Sequence, residues 1–107
     1  MSGRRWGTSV LREIRRLATQ RKVRFTLKAF QELARLGMGL DEDDACDVLA
    51  NLTRSDIVGR LVSEKTGEWM YVFKPSVAGV VVYVKVVVRA DCVVISFHEE
   101  EESDEDE

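Results

Sequence analysis

Four side chains in the last third of the chain are suited to work together: Lys74, Tyr83, Lys85 and His98. A histidine takes or gives a proton near neutral pH, where its unperturbed pKa of about 6.5 places it. Lysines stabilise negative charge that develops during a reaction. A tyrosine donates a hydrogen bond or offers an aromatic face. The combination fits proton transfer at an anionic centre, provided the backbone brings the four to one surface.

The elements that must do so are three strands, expected at Trp69–Lys74, Val80–Arg89 and Cys92–His98 and joined by turns at Ser76-Val77-Ala78-Gly79 and Arg89-Ala90-Asp91. Connections this short permit only antiparallel neighbours. Side chains alternate faces along a strand, so Val80, Val82, Val84, Val86 and Val88 share an apolar face. Val81, Tyr83, Lys85, Val87 and Arg89 share the other. The flanking strands split likewise, with Trp69, Tyr71, Phe73 or Val93, Ile95, Phe97 on one parity, and Met70, Val72, Lys74 or Ser96, His98 on the other. One sheet face can thus gather Tyr83, Lys85, Lys74 and His98, while Trp69, Tyr71 and Phe73 go mostly to the core.

Upstream, the 3.6-residue period predicts three helices. Ser9 is positioned to cap the first, whose stripe is Val10, Leu11, Ile14, Leu17 and Ala18; Arg12, Arg15 and Arg16 face water. Val23-Arg24-Phe25 reads as a brief strand. Thr26 caps a second helix that buries Phe30, Leu33 and Ala34 and stops at Gly37; Asp41 caps a third with Ala45, Val48, Leu49 and Leu52 inside. The acids from Asp41 to Asp44 suit that helix's N-terminus and lack the spacing of a calcium loop. A further strand is expected within Asp56–Ser63. The expected class is α+β, with the N-terminal helices on one face of a small antiparallel sheet.

Length and charge set further bounds. The 107 residues, 45% hydrophobic, suit one domain over residues 1–98 followed by an acidic, disordered tail at 99–107. That tail carries eight negative charges, and removing them from the net −3 leaves the body at +5. Before residue 41, ten arginines and lysines face only Glu13 and Glu32. A basic body of this kind points to a polyanionic partner, although arginines on a helix are often only its wet face. Cys46 and Cys92 form no C-x-x-C and have no histidine at metal-ligand spacing, so buried free thiols are expected and neither a metal nor another cofactor is implied. With no signal peptide and no membrane-length apolar run, the expected location is the cytoplasm.

The ordered blocks Val23-Arg24-Phe25-Thr26, Ala29 to Gly37, Leu52-Thr53-Arg54-Ser55-Asp56, Trp69 to Pro75, Gly79 to Lys85 and Val94-Ile95-Ser96-Phe97 resemble the MqsR family of toxins over about residues 8–98. The resemblance implies a RelE-like fold and a metal-free mRNA interferase whose partners are messenger RNA and an MqsA-like antitoxin. Carried across by position, it makes Tyr83, His98, Arg60 and Lys85 the catalytic candidates and Met70 an RNA-binding one; Lys74 and Arg89 join the RNA-binding candidates as cations of the strands that form this face. The chain departs from the best-known members in three places. Gly59, with Arg60 beside it, stands where they have a lysine; Met70 replaces a glutamine and His98 a lysine.

Metal-free RNA cleavage needs a base for the 2′-hydroxyl proton, positive charge for the phosphorane and an acid for the leaving 5′-oxygen. His98 suits either proton-transfer role. Lys85, Arg60 or Lys74 supplies charge, and Tyr83 donates a hydrogen bond or stacks on a base. The alternative is a catalytically weak or inactive member that works as a protein- or RNA-binding module.

Overall fold

The computed structural model describes residues 5–101. The tail expected at 99–107 lies mostly outside that range. In chain order the elements are α1 (Arg5–Thr19), β1 (Val23–Phe25), α2 (Leu27–Arg35), α3 (Glu42–Ala50), a short 3₁₀ turn (Arg54–Asp56), β2 (Ile57–Val62), β3 (Trp69–Phe73), β4 (Ser76–Val77), β5 (Val80–Val88) and β6 (Cys92–Glu99). The fold is α+β, as the patterning indicated.

The sheet runs β1-β6-β5-β3-β2, with β4 folded back on β5. It is mixed rather than antiparallel: β1 lies parallel to β6, pairing Val23 with Cys92 and Phe25 with Val94. The crossover through α2, α3 and the β2–β5 hairpins makes that direction possible, since parallel neighbours need a long connection. On one face Val82, Val84, Val86, Val94 and Phe97 meet Leu11, Ile14 and Leu17 of α1, Ala29 and Leu33 of α2, and Ala45 and Leu49 of α3 in a single core. The expected valine alternation along β5 is what builds it.

Local signals account for most boundaries. The Thr26 hydroxyl accepts the Ala29 N–H at 3.1 Å and starts α2. Gly37, at φ +67°, lies in the left-handed region just beyond its end. Asp41 and Asp44 exchange side-chain and backbone bonds at 2.9 Å each, a full capping box for α3. Ser9 caps nothing: α1 already runs from Arg5, and Ser9 is an exposed interior residue of it. Loss of the Thr26 cap gives the first expected outcome. Thr26→Ala should cost about 1 kcal/mol and lower Tm by roughly 4–8 °C in thermal unfolding; an unchanged Tm would show that α2 needs no cap.

The stripe of α2 is rotated relative to its apolar pattern. Ala29, Glu32 and Leu33 face inward, whereas Phe30 is 49% exposed and Ala34 also faces water. The reason lies in β6. Beyond Phe25, β1 no longer flanks that strand, and α2 takes over its edge. The Glu32 carboxylate accepts the Phe97 N–H at 2.9 Å, and Lys28 Nζ donates to the Ile95 carbonyl at 3.2 Å. A carboxylate occupies the inward position because buried backbone groups there need partners.

Candidate functional site

Two β-bulges decide which residues reach the sheet face away from the core. In β6, Ser96 pairs with Lys85 but Val94 pairs with Val86, so one residue is gained between them. This breaks the expected common parity of Val93, Ile95 and Phe97. Phe97 enters the main core, while Val93 and Ile95 join Met70 and Val87 in a small apolar cluster on the opposite face. In β2 the register slips between Ile57 and Gly59, so Arg60 pairs with Tyr71 and Gly59 with Val72. Cross-strand partners share a face. Arg60 therefore turns to the helix side with Tyr71.

The face left behind is built in rungs. One holds Val72, Lys85 and Ser96, which are successive cross-strand partners. The next holds Tyr83 and His98, whose rings stack with centroids 5.0 Å apart and planes 10° from parallel. His98 Nδ1 lies 2.7 Å from the Glu99 carbonyl oxygen. A carbonyl only accepts, so Nδ1 carries the proton, and in the neutral ring Nε2 holds the lone pair. His98 is 2% exposed and Lys85 fully buried, whereas Tyr83 is half-buried and forms the outer surface of the pair. Lys74, the residue just after β3 and on the parity of Val72, reaches Glu100 at 3.1 Å, which brings the first residues of the acidic run against this face.

The seven candidate residues thus separate. Tyr83, His98 and Lys85 come together, with Lys74 at the margin. Arg60 lies on the other face, its guanidinium 3.8 Å from the Trp69 ring centroid and 4.9 Å from that of Trp6, a stacked cation between two indoles. Met70 is on the face of Tyr83 and His98 but is buried in the apolar cluster at its far end. Arg89 is held by Glu68 through two bonds of 2.7 and 2.6 Å. The hydrogen bonds from Arg89 pull the Glu68 carboxyl down to about 2.

Two residues on α2 escaped the sequence reading. Lys28 Nζ donates to Ser96 Oγ at 2.9 Å and pairs with Glu32 at 3.1 Å, so α2 braces the β6 segment that carries His98. Their i, i+4 spacing was the available signal. Cys46 and Cys92 are free and buried as expected, and burial pushes the Cys92 thiol up to about 12. Among the described residues no three His, Cys, Asp or Glu side chains converge as metal ligands, and no helix is long and apolar enough to cross a membrane.

The stacked histidine–tyrosine pair and the buried lysine beside it form the candidate site on one sheet face of this small α+β protein. Residues 7–99 match the family described as motility quorum-sensing regulator, toxin of MqsA, and the chain belongs to that family. It is accordingly a toxin of a toxin–antitoxin system, of the kind paired with MqsA. No curated protein matches the chain.

Proposed function

We propose that this toxin is an endoribonuclease that cuts single-stranded messenger RNA without a metal ion, with Tyr83, Lys85 and His98 at its centre. The observation that carries the reading is the Tyr83–His98 stack, in which the Glu99 carbonyl fixes the imidazole tautomer. A neutral ring protonated at Nδ1 presents Nε2 as the base for a 2′-hydroxyl proton. Attack of that oxygen on the adjacent phosphorus gives a 2′,3′-cyclic phosphate and expels the 5′-oxygen, which takes a proton from an acid. The Tyr83 hydroxyl and the His98 imidazolium formed in the first step are the nearest groups able to give one. Lys85, one rung away, and Lys74 at the margin supply positive charge for the phosphorane.

Because His98 is buried under Tyr83, opening of the stack is part of the mechanism. Tyr83 leaves the imidazole to stack on a base of the incoming strand, exchanging one aromatic partner for another. The donors on this face are cationic, aromatic and hydroxyl groups, not the oxygen cage that magnesium or calcium takes. Arg60 has no catalytic part in this arrangement, and its place between Trp6 and Trp69 assigns it to the helix side of the sheet. The protein works in the cytoplasm, where its substrate is made, and an MqsA-like antitoxin restrains it. Residues 1–98 act as one RelE-like domain.

The expected result is cleavage of single-stranded RNA by the purified protein in excess EDTA, leaving 2′,3′-cyclic phosphate or 3′-phosphate ends. A strict magnesium requirement or 3′-hydroxyl ends would refute the mechanism. The burial of His98 and Lys85 favours one other reading, a member that binds RNA or protein without cutting. RNA bound but intact after long incubation would establish that reading.

A further inference from the structure

The cross-strand register puts an ion pair over the strand that carries Tyr83. Pairing of β3 with β5 continues past Phe73: the Val82 N–H donates to the Pro75 carbonyl at 2.9 Å, so Lys74 stands opposite Tyr83. On the other side of β5 the ladder with β6 continues past Glu99, because the Glu100 N–H donates to the Val81 carbonyl at 3.0 Å. β3 and β6 flank β5 and so lie roughly 10 Å apart, two interstrand spacings of about 4.8 Å. Lys74 Nζ meets Glu100 Oε2 at 3.1 Å, so the two side chains together bridge that gap. The pair is a strap across β5 at Val81 and Tyr83, beside the Tyr83–His98 stack.

The strap engages a cation that the proposed reaction assigns to phosphate, and a carboxylate stands where a phosphate oxygen would. Behind Glu100 the sequence adds Glu101, Glu102, Asp104, Glu105, Asp106 and Glu107. The six residues after Glu101 span up to about 20 Å when extended, enough to cross the Tyr83–His98 rung. A concavity of about 290 Å³ between the β4–β5 turn and Glu99–Glu101 is walled by the same carboxylates. Both partners of the strap remain in contact with water, the Lys74 side chain 35% and the Glu100 side chain 44% exposed. An ion pair solvated in this way is weak, so an incoming phosphate can displace it.

We propose that the Lys74–Glu100 strap is an autoinhibitory contact, in which the acidic run competes with RNA phosphate for Lys74 and RNA binds by displacing it. The proposal rests on the endoribonuclease reading and adds a brake to it. A competitor on the same chain acts at high effective concentration, so a weak pair suffices to oppose a substrate that must arrive from solution.

The test measures RNA affinity for the full chain and for its Glu100→Gln, Glu101→Gln and Lys74→Ala variants, using a short single-stranded RNA whose 2′-oxygens are methylated so that it binds uncut. Glu100→Gln keeps the main-chain bond to Val81 and should tighten binding by about 2–5-fold at low salt. The gain should vanish when Lys74→Ala is also present, and it should shrink between about 50 and 200 mM salt. Glu101→Gln removes the same charge one residue further on, away from the strap, and should change affinity less. On cleavable RNA, Glu100→Gln should raise kcat/KM by the factor seen in affinity. Equal gains from Glu100→Gln and Glu101→Gln, with or without Lys74, would reduce the acidic run to a diffuse charge and overturn the strap. Cleavage by the parent with no gain in affinity for Glu100→Gln would overturn the strap and leave the nuclease standing. Tighter binding by Glu100→Gln with cleavable RNA left intact would do the reverse, and no binding by any of these proteins would overturn both.

Discussion

His98→Ala should lower the single-turnover rate of RNA cleavage by about 10²–10⁴-fold, the usual cost of removing a general base. The 2.7 Å contact of Nδ1 with the Glu99 carbonyl fixes the tautomer of the neutral imidazole, leaving Nε2 as the atom able to take a proton. Tyr83→Phe separates two roles of its partner, because phenylalanine keeps the ring that stacks at 5.0 Å and removes only the hydroxyl. If the hydroxyl protonates the leaving oxygen, Tyr83→Phe should fall by a comparable factor; if Tyr83 serves only as a base platform, Tyr83→Phe should cut normally and Tyr83→Ala should bind RNA poorly. Val84→Ala is the control for stability, since Val84 lies next to Tyr83 in β5 but points into the core. A His98→Ala protein that folds and cuts at the parent rate would remove the site from this face.

Periodicity made the central strand legible. Along β5 the alternation assigned Val82, Val84 and Val86 to the core and Tyr83 and Lys85 to the other face because a strand repeats every two residues whatever surrounds it. The helix starts at Thr26 and Asp41 were legible for a similar reason, each depending on a side chain and the backbone three residues ahead. Bulges carry no such signature. The extra residue in β6 changes the face of every residue on one side of it, and nothing in Cys92-Val93-Val94-Ile95-Ser96-Phe97 marks where it falls. The slip between Ile57 and Gly59 has the same effect on Arg60, which regular alternation from Ile57 would put on the site face. A three-residue strand such as β1 likewise holds no information about its direction, which comes from the long crossover that follows. The position of His98 beside Tyr83 was legible because both lie on the near side of the β6 bulge.

The contrast between Glu32 and Phe30 tests the part of the fold that pattern alone misassigns. An amphipathic reading of α2 buries Phe30 and exposes Glu32; the folded helix does the reverse, with the Glu32 side chain 10% exposed and Phe30 49% exposed. Glu32→Ala leaves the Phe97 N–H buried without an acceptor, a cost of about 1–3 kcal/mol. It also strips the anion from Lys28, whose side chain is 26% exposed and so retains part of its hydration. That second loss is smaller than the about 3–5 kcal/mol of a fully buried broken pair. The two together should destabilise by roughly 3 kcal/mol, or about 10–20 °C in Tm. Glu32→Gln keeps a carbonyl acceptor for Phe97 and should cost about 1 kcal/mol, the typical net worth of the hydrogen-bond strength lost with the charge. Phe30→Ala removes a ring that is half in water and should cost about 1 kcal/mol, half or less of a full aromatic burial. Because Glu32 and Lys28 hold the Ile95–Phe97 segment, Glu32→Ala should also loosen His98 and slow RNA cleavage at temperatures where the protein is still folded, which Phe30→Ala should not. A larger fall in Tm for Phe30→Ala than for Glu32→Ala would restore the simple amphipathic reading and remove α2 from the support of the site.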